Sequence, residues 1–252
     1  MVGEYSWCDW VWNPIIGCNS VSTGCLNCYA RTHVERSSGR RFGKLLVNKQ
    51  VLYDPLRTHK SHMVYVSALG DLFHRKVPKD ILLEIFDVMR RAEHIVFLVS
   101  TRRAGRAVEF LSQRKIPDNI WVGVSAEDRE TANNRLASFK RLDFPRKFLV
   151  LEPLLGPIEL DLTGIKQVVI GGELGPNARP CYLVSILDVV EHCRLEGVPY
   201  YIKNIGSFPV HNGIRYQLSE TESSNSNNWP KILRPRGQLV MRASLHEYSG
   251  TS

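Results

Sequence analysis

Between residues 60 and 205, short apolar runs rich in β-branched and aromatic residues alternate with stretches whose apolar positions recur every three or four residues. The first pattern has the period of a strand and the second that of an amphipathic helix, so the alternation predicts βαβ units around a parallel sheet. Six strands are predicted: His62 to Ser67, His94 to Ser100, Ile120 to Ser125, Phe148 to Glu152, Gln167 to Gly171 and Pro199 to Lys203, preceded by a less regular one around Trp10 to Gly17. Helical spacing is clearest from Lys79 to Arg91, where Ile81, Leu82, Ile85, Phe86 and Met89 share a face, and from Leu183 to Leu195, where Leu183, Ile186, Leu187 and Val190 do. Cys193 continues the second stripe and reads as a buried small hydrophobe. Further helices are predicted from Asp128 to Arg141 and from Arg106 to Gln113. Seven strands in this arrangement predict a TIM-like parallel (βα) barrel, closed or partial. No internal repeat recurs at a fixed period.

After residue 206 the character changes. The run Glu220 to Asn228 (ETESSNSNN) is polar and low in complexity, which predicts a mobile loop or linker within a C-terminal appendage covering 207–252. Trp229, Ile232, Leu239, Val240 and Met241 give that appendage something to bury.

The 252 residues carry 33 Lys+Arg against 25 Asp+Glu, a formal charge of +8. A chain of this length buries enough surface to fold without disulfide or metal, so a metal site here points to function rather than scaffolding. No stretch reaches the ~18–20 apolar residues that span a bilayer, and Met1 to Tyr5 lacks a basic segment leading into an apolar run, so a cytoplasmic protein without membrane contact is expected. Disulfides rarely persist there, and four of six cysteines fall between Cys8 and Cys28. The positive balance suits an anionic partner or simple solubility.

Each predicted strand runs directly into a polar or glycine-rich motif. In order these hold Cys18, Cys25 and Cys28; Ser67 to His74 with Asp71; Ser100 to Arg103; Ser125 to Asp128 with Glu127; Glu152 and Pro153; Gly171 to Pro176 with Glu173; and Lys203 with Asn204. In parallel α/β barrels the loops leaving the strand C-termini converge on one active-site face, so seven motifs are expected in one mouth. Taken singly, Ser67 or Ser125 is a helix cap. Asp71, Glu152 and Glu173 together with Arg102, Arg103 and Lys203 exceed what capping needs.

The C-x6-C-x2-C spacing of Cys18, Cys25 and Cys28 is a metal signal. Three thiolates can hold a 4Fe-4S cluster with one iron open to a ligand. Four would make a structural zinc site, with Cys8 as the fourth. Unligated core thiols are the third option. Trp7, Trp10 and Trp12 read as bulky residues of a half-buried strand rather than a base-stacking surface. The basic segment Arg31 to Lys44, with Arg36, Arg40 and Arg41, is either a solvated loop or a phosphate-holding rim of the mouth.

The ordered motifs WNPIIGCNSVSTGCLNCYA, SALGDLFHRKVP, NIWVGVSAED, LEPLLGPIEL, GGELGPNARP and GVPYYIKNIG resemble a phage-associated three-cysteine family of the Gp-thirty-seven type, over roughly residues 7 to 206. The resemblance implies a radical-SAM-like partial barrel spanning 1–206 and supplies no substrate. The wider radical SAM likeness implies a 4Fe-4S cluster on Cys18, Cys25 and Cys28. It also implies S-adenosylmethionine as cofactor, a reductant such as flavodoxin or ferredoxin, and a 5′-deoxyadenosyl radical that abstracts hydrogen. The first cysteine gap is six rather than the usual three, and the aromatic residue Tyr29 follows Cys28 instead of preceding it. The Gly-Gly-Glu motif at Gly171 to Glu173 ends a late strand rather than the second, where Ser67 to Asp71 stand, so Asp71 takes the role of holding the cofactor's ammonium. Cys8 occupies a family Thr position, which removes it as a ligand. The expectation is therefore a radical enzyme acting on a nucleotide or nucleic acid, in modification or DNA repair. Ser67, Asp71, Ser100, Ser125 and Glu127 line the cofactor, and Glu152, Glu173, Arg179 and Lys203 face substrate. The rival is a zinc-bearing, non-catalytic nucleic-acid-binding module.

Overall fold

Strict alternation of side chains across each strand builds two apolar layers. The computed structural model describes residues 7–233. Its main sheet holds seven parallel strands in sequence order: β1 (Trp10–Trp12), β2 (His62–Val66), β3 (Ile95–Thr101), β4 (Ile120–Ser125), β5 (Lys147–Leu151), β6 (Ile165–Ile170) and β7 (Tyr200–Ile202). β1 and β7 are its two edges, so the sheet is a curled half-barrel. All seven strands predicted from the apolar runs are present, with ends moved by a few residues. The irregular first one is shorter: Trp10–Trp12 joins the barrel, whereas Ile15–Ile16 pairs antiparallel with Leu46–Val47.

On the concave face Met63, Val96, Leu98, Trp121, Phe148, Val150 and Val169 pack with Trp7 and Cys8. The intervening Val64, Phe97, Val99, Val122, Leu149, Val168 and Ile170 join the larger core on the opposite side. Burial on both faces is why these strands read as continuous apolar runs. Gly123 takes an inward position with no side chain, and a Cβ there would meet the Phe148 ring at 2.7 Å, so the close approach requires glycine.

The helices are α1 (Tyr29–Ser38), α2 (Lys79–Arg91), α3 (Ala104–Leu111), α4 (Arg129–Phe139), α5 (Leu183–Leu195) and α6 (Glu220–Ser224). α2 and α5 have the bounds their spacing predicts; α2 buries Leu82, Ile85, Phe86, Val88 and Met89, and Cys193 on α5 is buried. No helix of the described residues is long and apolar enough to cross a membrane.

Two segments differ from expectation. The first part of the basic stretch is not a loop but helix α1, anchored by buried Ala30 and Val34 and ended by Gly39 in the left-handed conformation at φ 62°. Only this narrow stripe is buried and the other positions are polar or charged, so the helix holds too few apolar residues for its spacing to stand out. The polar run from Glu220 is likewise no plain loop. It starts with a Ser219/Glu222 capping box, forms α6 and a 3-10 turn, and ends at buried Trp229, whose Nε1 donates to the Ser223 carbonyl at 2.8 Å. Trp229 and Leu233 join the barrel's own core. Leu239, Val240 and Met241 lie outside the described residues.

Candidate functional site

Carried one step past the strand ends, the inward positions of the concave face become Ser67 after β2, Ser100 and Ser125 on β3 and β4, Glu152 after β5 and Lys203 after β7. Period-two alternation alone puts these five polar groups in one layer above the apolar interior. All five line a cavity of about 500 Å³ that also takes in Cys18, Cys25 and Cys28, Asp71, Glu173, Arg102 and Arg103. Of the residues assigned from sequence to metal, cofactor or substrate, Glu127 and Arg179 are not in its wall.

The cysteine loop reaches over the mouth from β1. Cys18 is pinned by its backbone N–H to the Phe42 carbonyl at 3.1 Å, Cys25 ends a short 3-10 turn, and Cys28 caps α1. Glu127, fully buried, supports this loop from behind: its Oε1 accepts from the Gly24 N–H at 3.3 Å and its Oε2 from Arg135 at 2.9 Å. A Cβ on Gly24 would come within 2.9 Å of the Glu127 carboxyl, so a larger residue there would have to displace that side chain. Glu127 is thus a buttress beneath the site rather than a group facing into it.

Asp71 also does structural work. Its two oxygens accept from the Phe73 N–H (2.9 Å), the Thr101 hydroxyl (2.8 and 2.9 Å), the Arg102 N–H (3.3 Å) and the Arg103 guanidinium (2.9 Å). A carboxylate offers about four lone-pair sites, and these donors occupy them. Arg103, held in this way, donates to the Cys18 sulfur at 3.2 Å and to the Asn19 carbonyl at 3.0 Å. Burial pushes the Cys18 thiol up, with Asp71 adding to the rise and Arg103 opposing it. The neighbouring Arg102 donates to the Glu152 carbonyl at 2.7 Å and lies 3.9 Å from the Glu127 carboxyl. Consecutive arginines therefore have different partners, Arg103 the Cys18 sulfur and Arg102 the Glu152 carbonyl, a division that their adjacency in sequence gives no hint of.

Across the mouth Lys203 Nζ donates to both oxygens of Glu152 at 2.8 and 3.0 Å, with Asn204 adding 3.2 Å. Glu173 accepts from Arg179 through its backbone N–H, Nε and Nη2 at 2.6–2.9 Å, and from Asn27 Nδ2 at 2.9 Å. Arg179 reaches the cavity only through Glu173. Asn27, between two cysteines, is a tie between the loop and the late strand that cysteine spacing alone conceals.

Burial pushes the Glu173 carboxyl up, but the hydrogen bonds from Arg179 and Asn27 and the Arg179 charge outweigh it and hold the group below the ordinary range. A depressed folded-state pKa contributes stability that is present above the unfolded value, about 4.3, and lost as pH falls through the folded one. Acidification from neutral pH through that window is therefore expected to lower the melting temperature of the wild type more than that of Glu173→Gln. Equal losses in parallel thermal melts would refute this.

Two polar atoms in the cavity wall are buried with no hydrogen-bond partner: Ser67 Oγ and Trp7 Nε1. Ser67 also holds a positive φ of 56°, a strained conformation for a residue with a side chain. Arg102 Nε is a third such atom, 3.9 Å from Glu127. Among the described residues no three His, Cys, Asp or Glu side chains converge as ligands of a single metal ion. Cys8 packs in the concave core and borders a neighbouring groove rather than this cavity. Cys181 and Cys193 are pushed up to about 12 by burial.

A family model described as a protein of unknown function, DUF5131, matches residues 3–236. No curated protein and no solved structure matches the chain.

Proposed function

We propose, from the premise that the chain belongs to the DUF5131 family, that it is a cytoplasmic radical enzyme built on a radical-SAM-type partial barrel. It would use a 4Fe-4S cluster and S-adenosylmethionine, take its electron from a flavodoxin- or ferredoxin-like reductant, and act on a nucleotide or nucleic acid. The likeness to the phage-associated three-cysteine family is part of the same proposal. The observation that carries it is the meeting of Cys18, Cys25 and Cys28 with the inward ring of Ser67, Ser100, Ser125, Glu152 and Lys203 in one cavity.

The donor set fits the proposed groups in most respects. A cluster needs three thiolates spread around its body, each on a different iron, whereas zinc needs its ligands gathered about one point at roughly 2.3 Å. Cys18, Cys25 and Cys28 border one cavity and would be the thiolates that hold the cluster. Ser67 Oγ and Trp7 Nε1, buried in the cavity wall without a hydrogen-bond partner, are donors that an acceptor atom of a bound group could use. Asp71 does not suit an ammonium, because its oxygens are already engaged.

When bound, the cluster and cofactor supply one-electron chemistry and hydrogen-atom abstraction. The chain's own residues hold and orient. Asp71 and Thr101 fix Arg103 against Cys18, Glu127 keeps the cysteine loop at its height, and Glu173 with Arg179 and Asn27 locks the loop to the far wall. Lys203, paired with Glu152, would present its ammonium to a bound group at the cavity wall. Anaerobic purification followed by iron and sulfide analysis tests the proposal. A brown protein with about four irons per chain is expected; a colourless protein carrying one zinc overturns it.

A further inference from the structure

Beside the mouth runs a second, larger hollow of about 1070 Å³. One side is the face of α1 that carries Tyr29, Thr32, His33 and Arg36, positions spaced three and four apart and so stacked along one flank of the helix. Arg31 adds a second guanidinium, and Asn27, Cys28, Tyr29, Arg31, Leu174 and Glu220 border both hollows, making them one continuous depression. Arg40, Arg41 and Lys44 border neither.

Aromatic surface accompanies the cations. Tyr29 is 47% exposed at the junction, its hydroxyl tied to the Ala68 carbonyl at 2.8 Å and Lys203 Nζ 6.0 Å from its ring centroid. Half-buried Trp10 borders the hollow further along. Its rim also carries two carboxylates, Asp9, which accepts from the Met63 N–H at 2.7 Å, and Glu220 at the mouth end. A groove with guanidinium groups along one wall and aromatic rings for sequence-tolerant stacking has the chemistry that follows a flexible phosphodiester backbone. The mouth, at about 500 Å³, is of the size that takes one small molecule or nucleotide and does not take a stacked duplex.

We infer that this groove is the track of a single-stranded polynucleotide, with flanking phosphates on Arg31 and Arg36 and the reacting nucleotide carried past Tyr29 into the mouth. The inference deepens the proposed function and takes from it the identity of the mouth as the reaction site.

The test is fluorescence anisotropy of labelled single-stranded DNA, single-stranded RNA and duplex DNA with the purified protein over a salt series. Wild type and the double variant Arg31→Gln/Arg36→Gln are compared, with Lys79→Gln/Arg90→Gln on the remote helix α2 as the charge control. Single strands are expected to bind at low salt with affinity falling steeply as salt rises. The groove variant should lose at least about tenfold in affinity and roughly 1.4 in log–log salt slope, about 0.7 per lost phosphate contact. The control should keep both, and unchanged circular dichroism melts confirm that the variants fold. Absence of binding at low salt, equal weakening by the α2 control, or duplex bound as tightly as single strand each overturns the inference. Binding needs no iron: an iron-free protein that passes sinks the proposed chemistry alone, and an iron-loaded protein that fails sinks the track alone.

Discussion

With the proposed cluster in place, replacing Cys18, Cys25 or Cys28 singly by Ser is expected to remove nearly all of its iron, whereas Cys8→Ser and Cys193→Ala retain it. Removing a residue that merely orients a metal ligand commonly costs 10–100-fold in metal affinity, so losing a thiolate should cost at least as much. The contrast rests on placement. The three loop cysteines border the mouth, whereas Cys8 packs against Trp7 and Met63 in the concave core and Cys193 sits in α5 with its thiol pushed up to about 12. Iron per chain after anaerobic reconstitution is the measurement, with circular dichroism as the check on folding. Iron lost as readily from Cys8→Ser as from Cys28→Ser would overturn the three-ligand assignment, and full iron in Cys28→Ser would do so too.

The framework of this site was legible because strands buried on both faces leave long apolar runs. Once Met63, Leu98, Trp121, Val150 and Tyr201 are placed inward by period two, the polar residue ending each series is also inward: Ser67, Ser100, Ser125, Glu152 and Lys203. What escaped the sequence is everything decided by side-chain reach between strands. Glu127 follows its strand as visibly as Glu152, yet the turn into α4 sends it beneath Gly24, where Arg135, ten residues beyond Ser125, neutralises it. Asp71 resembles an open ligand in sequence, and only geometry reveals that Thr101 and Arg103 have already taken its oxygens. α1 escaped for a different reason. Two buried residues in ten, Ala30 and Val34, leave too little apolar contrast to stand out from a basic loop. α6 is shorter still, and its signal was the Ser219/Glu222 capping box rather than hydrophobicity.

Replacing Arg103 by Gln is expected to leave the proposed cluster bound but harder to reduce. Arg103 is largely buried, with 12% of its side chain exposed, and it joins the Cys18 sulfur at 3.2 Å to Asp71 at 2.9 Å. Reduction adds negative charge to a cluster and its sulfurs, so a guanidinium hydrogen-bonded to one of them stabilises the reduced state more than the oxidised one. Gln removes the charge, leaves the Asp71 charge less compensated, and both changes act in the same direction. A hydrogen bond to a charged group contributes about 1.5–3 kcal/mol. If roughly half of that distinguishes the two redox states, the midpoint potential falls by on the order of 60 mV, tenfold in the reduction equilibrium of a one-electron couple. Arg103→Lys keeps the charge without the forked geometry and should fall between the two. The measurement is an EPR-monitored redox titration beside iron analysis. A merely structural role for Arg103 would lower iron content and leave the potential of the remaining clusters where it was, and that result, or an upward shift, would refute the assignment.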